Sequence, residues 1–133
     1  MSYSASLGAH APRVLSVLRA VSGLLLTLHG TQKLFSFPAR DGPAPDALTQ
    51  MWIGGWIEIV TGLLILLGLF TRPAAFLASG TMAVAYWQFH APGNLYPTLN
   101  GGDAAILYCF VFFYLIFSGP GPWSLDAAVR RKS

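Results

Sequence analysis

The sequence predicts an all-α membrane protein: a bundle of four transmembrane helices with both termini in the cytoplasm and a short amphipathic C-terminal segment. Three observations carry this. Hydrophobic residues make up 54% of the 133 positions and charged residues only 10%, with a mean hydropathy of +0.56, whereas a soluble domain carries about a quarter charged residues. The apolar residues fall into four runs bounded by Pro, Gly or polar clusters, each near the length that crosses a bilayer. Within these runs the few polar groups share faces: His29 and Lys33 are four residues apart and stand on one side of a helix.

The elements follow in order. Residues 1–12 are small and polar and read as a flexible tail, with Pro12 suited to a first helical turn. The first helix spans about 13–35. Arg19, Ser22, Gly23, Leu26, His29, Gly30 and Lys33 fall on one broad face, and Val17, Leu24, Leu25 and Leu28 on the other, giving a face for partner helices and one for lipid. Residues 36–50 form a loop broken by Pro38, Gly42, Pro43 and Pro45. The second helix, about 51–70, carries one charge, Glu58, flanked on its face by Gly54, Gly55, Thr61 and Gly62. Trp52 and Trp56 lie on a different face, where interfacial anchoring suits them. A tight turn through Gly68 leads to the third helix, about 73–90, whose face bears Ala75, Ser79, Ala83, Tyr86 and His90. Residues 91–102 form a second loop. The fourth helix, about 103–118, opens with Asp103, which suits a helix N-terminus. Its Tyr108, Phe110, Phe112 and Phe113 read as a bulky, mostly lipid-facing set. Residues 119–133 form a cytoplasmic interfacial tail: Trp123 as anchor, Ser124 as a helix cap, and Arg130, Arg131 and Lys132 toward anionic headgroups.

Basic residues orient the bundle. Arg13, Arg19, Arg72, Arg130, Arg131 and Lys132 fall at one end, against Lys33 and Arg40 at the other. The six-to-two bias places both termini inside and the two longer loops outside, with Arg19 reaching to lipid phosphates. Other classes are excluded. No basic patch with interleaved aromatics points to nucleic acid. The single cysteine, Cys109, has no partner for a disulfide or a CxxC motif and reads as apolar filling. Residues 21–28 are followed by His29, Gln32 and Lys33 rather than a cleavage site, so the first segment reads as a retained helix. No metal, flavin or phosphate-loop motif is present. A haem between His29 and His90 is set aside, because the two differ in depth and Pro92 disturbs the second.

Depth selects the candidate site. His29 and Glu58 each lie about seven residues from the outer end of their helices, ~10 Å deep, and helices joined by a short loop are antiparallel neighbours. Lys33 is one turn shallower, and His90 and Asp103 sit at the rim. A charge at mid-helix costs about 2.5–3.5 kcal/mol on insertion scales. Lys33 can snorkel; Glu58 must be protonated, hydrogen-bonded or paired. The polar groups therefore form either a functional pocket or a His29–Glu58 or Lys33–Glu58 tie that fastens helices.

The run His29-Gly30-Thr31-Gln32-Lys33-Leu34-Phe35, then Gly55-Trp56-Ile57-Glu58 with Gly62-Leu63-Leu64, resembles the DoxX family of small four-helix membrane proteins. So do Thr71-Arg72-Pro73-Ala74-Ala75, the stretch from Met82 to His90-Ala91-Pro92, Asn100-Gly101-Gly102-Asp103, and the tail from Gly119-Pro120-Gly121-Pro122 through Trp123 and Asp126. Asp103 departs from the pattern, which has glutamate there. The resemblance implies a multi-pass protein of a bacterial cytoplasmic membrane. Some relatives are subunits of thiosulfate–quinone oxidoreductase or are linked to membrane redox and thiol-stress complexes; distant ones are cargo receptors or assembly chaperones.

The leading expectation is a subunit of a quinone-linked oxidoreductase, with electrons delivered by another membrane or peripheral redox subunit. His29 and Lys33 would hold a quinone carbonyl and Glu58 would relay a proton, with Trp56, Tyr86, His90 and Asp103 completing the binding site. Partners are the bilayer, a redox subunit or a second copy. The rival expectation is a non-enzymatic scaffold, assembly chaperone or partner-binding protein that uses the same cluster to fix helix packing.

Overall fold

A computed structural model describes residues 2–133. It is all-helical among the described residues: α1 (Tyr3–Phe35), α2 (Gln50–Leu67), α3 (Thr71–Ala85), a π-helical turn over Tyr86–His90, the single turn α4 (Pro97–Asn100), α5 (Asp103–Ser118) and α6 (Leu125–Lys132). Two helices, α1 and α2, are long and apolar enough to cross a membrane, and α5 is a shorter apolar helix. The connections define two ends: a loop end, with residues 36–49 and 91–102, and a tail end, with the Gly68–Phe70 turn and residues 119–133.

Two tight helix pairs build the bundle. In the first, α1 lies on α2 through glycines at backbone contact. A Cβ on Gly23 would stand 2.8 Å from the Gly62 carbonyl oxygen, and one on Gly30 would stand 2.7 Å from that of Gly55. Small residues allow this approach where lipid provides no hydrophobic drive between helices. The buried residues of α1 are Ser16, Arg19, Ser22, Gly23, Leu26 and Gly30, the face expected from the helical wheel, while Val17, Leu24 and Leu25 face outward. In the second pair, α3 lies on α5, and Ser79 Oγ donates to the Cys109 carbonyl at 2.8 Å. Leu26, Ile65, Ala75, Ala78, Met82, Phe112 and Leu115 join the pairs in one core.

Three helices differ from expectation in their bounds and one in the faces of its side chains, each for a local reason. Residue 1 of the expected tail lies outside the described residues, and residues 2–12 are not a loose tail: α1 starts at Tyr3, capped by the Ser2 hydroxyl, and passes through Pro12. Ala5, Ala9 and Ala11 are strong helix formers, and the proline removes a single N–H bond rather than the helix. The second helix ends at Leu67, not 70. Gly68, with φ +68°, takes the left-handed conformation and closes the end through Leu69 N–H to the Leu64 carbonyl. The third helix starts two residues early, and its last turn widens, with Ala91 N–H reaching the Tyr86 carbonyl at 2.9 Å. On α5 the aromatic set divides: Phe112 is fully buried and Tyr108 half-buried, while Phe110 and Phe113 face outward. Tyr108 and Phe112 share a face with Ala105 and Leu115 at helical spacing, so neither belongs to the outward set.

Arg19 also departs from expectation. It does not reach out; it is 3% exposed. Its guanidinium donates to the carbonyls of Ile65 (2.9 Å), Pro120 and Trp123 (2.8 Å), using its planar fork to join α1, α2 and the C-terminal tail. The tail is further held by Trp123 N–H to Ser16 Oγ (3.1 Å) and by the Asp126 carboxylate. Asp126 accepts from the backbone N–H groups of Phe70 (2.9 Å) and Thr71 (3.0 Å), capping α3 from a distant part of the chain. Burial pushes the Asp126 carboxyl up, but the Thr71 and Phe70 hydrogen bonds and nearby Arg130 outweigh it and hold it below the ordinary carboxylate range.

Candidate functional site

Between the two helix pairs, toward the loop end, lies a cavity of about 710 Å³, within the size range of small-molecule sites. All four long helices contribute to its wall, which is mostly apolar. Its polar groups come from α1 (His29, Lys33), α2 (Gln50, Glu58), α3 (Thr81), the π-helical turn (His90) and α5 (Tyr108).

At the α1–α2 side, Lys33 Nζ lies 2.8 Å from Glu58 Oε1. The Glu58 side chain is 5% exposed and that of Lys33 24%, so the pair is largely out of solvent. Of the two ties left open by the sequence, His29–Glu58 and Lys33–Glu58, the second is formed: Lys33, which could snorkel outward, turns inward to the carboxylate, because the anion is too deep and too short to come out. Glu58 Oε2 is buried and has no hydrogen-bond partner among the described residues. His29 sits one turn deeper than Lys33 and meets the edge of Tyr108, ring centroids 5.6 Å apart. It pairs with neither carboxylate oxygen. His29 and Tyr108 both leave their hydrogen-bonding capacity unused within the described chain.

The opposite rim is built by the widened turn. His90 Nδ1 lies 3.1 Å from the Asn100 carbonyl oxygen, an acceptor only, so Nδ1 carries the proton and a neutral His90 keeps its Nε2 lone pair free. Gln50 Nε2 donates to Gln88 Oε1, joining the first turn of α2 to the π-helical turn at the loop end. Gly54 and Gly80 face the void: a Cβ at either would meet nothing within 4 Å.

Three residues placed at the site from sequence stand outside the cavity wall. Trp56 packs on Phe35 and Trp52, ring centroids 5.7 and 6.1 Å away, on the outward face of α2. Tyr86 stands behind His90, nearly parallel to it, and its hydroxyl accepts from Asn100 Nδ2 at 3.3 Å. Asp103 is exposed, and its Oδ1 accepts from Ala104 N–H at 3.0 Å. The aspartate serves its own helix start and faces neither His90 nor α1. Sequence reasoning missed Gln50, Gly80, Thr81 and Tyr108. Gly80 carried a usable signal: a glycine within an apolar helix that no turn requires marks a place where space is kept.

Comparison with known proteins now decides the family. The DoxX family model matches residues 14–91. The chain belongs to the DoxX family. The match covers α1 from residue 14 on, α2, α3 and the widened turn, hence His29, Lys33, Glu58 and His90, but not α5. The chain is similar to an uncharacterized protein of Haemophilus influenzae, 41% identical over 128 residues, covering 91% of this chain and 94% of the relative. It is 30% identical over 149 residues to an uncharacterized membrane protein of Mycobacterium tuberculosis, covering 99% and 91%. A second uncharacterized Haemophilus influenzae protein is 28% identical over 100 residues, covering 75% and 64%. No solved structure matches. With its apolar helices and this kinship, the DoxX chain is a membrane protein associated with the lipid bilayer.

Proposed function

We propose that this chain is a four-span protein of the bacterial cytoplasmic membrane, with both termini inside, whose cavity binds the headgroup of a quinone for an oxidoreductase complex. The observation that carries this is the Lys33–Glu58 pair, largely removed from solvent, at the wall of an apolar cavity with His29 and Tyr108 unpaired beside it. Ionisable groups inside a membrane are costly and mark functional sites by default. The donor set fits a ring with carbonyl acceptors: His29 and Lys33 orient it, and Glu58 holds or accepts a proton next to it. A bound quinone would supply two-electron chemistry coupled to proton uptake, with electrons delivered by a partner subunit. The orientation rests on the six-to-two bias of basic residues toward the tail end.

The second reading is a scaffold or assembly chaperone, favoured by one observation: the same ion pair ties α1 to α2 beside the glycine contacts. Titration of the purified protein with a ubiquinone or menaquinone analogue separates the two. The quinone reading requires saturable binding that weakens in Glu58→Gln and His29→Ala. Absent binding, or binding unchanged in both variants, overturns it.

A further inference from the structure

The cavity has two sides by which a ligand could come, and they differ. At the loop end, Gln50 and Gln88 bridge from α2 to the π-helical turn across the watery side. Farther from that end, no side-chain hydrogen bond among the described residues closes the gap between α2 and α3. These helices pack on each other less than on their own pair partners, and the slot between them is flanked by Ile53, Phe76, Leu77 and Val84, all exposed apolar side chains that also line the cavity. On the two sides of the slot stand Gly54 and Gly80, with open space where each side chain would be. The cavity thus continues sideways into the region where lipid contacts the bundle, through a passage that is apolar but for Thr81, whose hydroxyl donates to the Leu77 carbonyl of its own helix.

We propose that the ligand enters from the bilayer through the slot between α2 and α3, and that it carries a long alkyl or isoprenoid tail that remains there against Gly54 and Gly80. This rests on the quinone-binding reading and adds to it the class of molecule and its route. A headgroup alone would use the polar end near Lys33, His29 and Tyr108, leaving the slot empty. A tail fills it and exchanges one apolar surface for another. Gly80 is then a specificity-determining position: its missing side chain is the width of the passage.

The test uses the full chain in lipid nanodiscs and a decyl benzoquinone with a photoactivatable diazirine at the end of the tail. After irradiation the labelled residues are mapped by peptide mass spectrometry, with unlabelled decyl quinone as competitor. The expected result is competable labelling on α2 and α3 at Ile53, Leu77 and Val84. Gly80→Leu, which improves helix propensity and whose Cβ stands in open space, reduces it roughly tenfold or more, while Gly80→Ala stays within about twofold of the parent. Competable labelling confined to residues 36–49 or 91–102, or to the outer faces of α1 and α5, overturns the slot but leaves headgroup binding standing. No competable labelling anywhere overturns the quinone reading itself. Labelling at the slot that survives Gly80→Leu unchanged overturns the role of Gly80.

Discussion

Replacing Lys33 by Met removes the sole partner, among the described residues, of a carboxylate that is 5% exposed and whose second oxygen has none among them. An uncompensated buried charge of this kind costs about 3–5 kcal/mol. Replacing Glu58 by Gln is far milder, because the Lys33 side chain is 24% exposed near the end of its helix and can swing out to water; the loss is about 1 kcal/mol or less. Replacing both, Lys33→Met with Glu58→Gln, leaves two neutral side chains of similar volume and restores stability to within about 1 kcal/mol of the parent. The coupling between the two sites is then about 3 kcal/mol. Unfolding midpoints, measured by titrating a denaturing detergent into mild-detergent micelles, give the four corners of the cycle. If Lys33→Met costs no more than Glu58→Gln, the difference in burial does not govern the pair. If the double variant stays as unstable as Lys33→Met alone, the pair is a fastener and the scaffold reading gains; if its loss equals the two singles summed, the two sites are not coupled. The pocket reading requires the double variant to be stable yet unable to bind the quinone analogue.

Other expectations follow from the same geometry. Gly23→Ala drives a methyl into the backbone of α2 at Gly62 and Leu66 and lowers stability by about 1–3 kcal/mol, whereas Gly80→Ala, in open space, raises it by up to about 1 kcal/mol; thermal unfolding of the two variants should shift in opposite directions. Because the folded-state Asp126 carboxyl titrates below its ordinary range, its contribution is present above the unfolded value near pH ~4 and is lost as pH falls through the lower folded value. Pepsin cleavage around Trp123 and Leu125 should therefore rise steeply below about pH 4, and Asp126→Asn should loosen the tail already at neutral pH. With single cysteines at Ala44, Thr98 and Ser133 in a Cys109→Ala background, an impermeant maleimide on intact cells should label the first two and not the third; labelling at Ser133 reverses the orientation and puts the cavity at the cytoplasmic side.

The helices were legible in the sequence where burial follows periodicity alone. The α1 face from Arg19 to Gly30 and the α2 face around Glu58 emerged from a wheel because small residues and polar groups recur there at helical spacing. What sequence could not show were choices between equivalent partners. Glu58 had His29 and Lys33 within reach, and only the packing of α1 on α2 gives it to Lys33. Tyr108 and Phe110 look alike in composition, yet one lines the cavity and the other faces outward, a phase set by where α3 lies on α5. Asp103 was expected across the rim from His90, but a carboxylate at a helix start is satisfied most cheaply by the next backbone N–H. Arg19 was expected to reach phosphates because its acceptors are carbonyls far along the chain, and a free carbonyl leaves no mark in sequence.

That distance in sequence matters for how the molecule is made. Of the three carbonyls that satisfy Arg19, one lies 46 residues later and the others 101 and 104 residues later. At the usual pace of synthesis, ~5–20 residues per second, the guanidinium emerges several seconds or more before its last partners exist. During that interval the first helix carries a charge that the growing chain cannot yet cover, and the ribosome and insertion machinery must keep it wet. The final fifteen residues, which hold no part of the cavity, are therefore the closing act of assembly: a chain cut short after Ser118 would possess every wall of the pocket and still leave Arg19 with one partner in three.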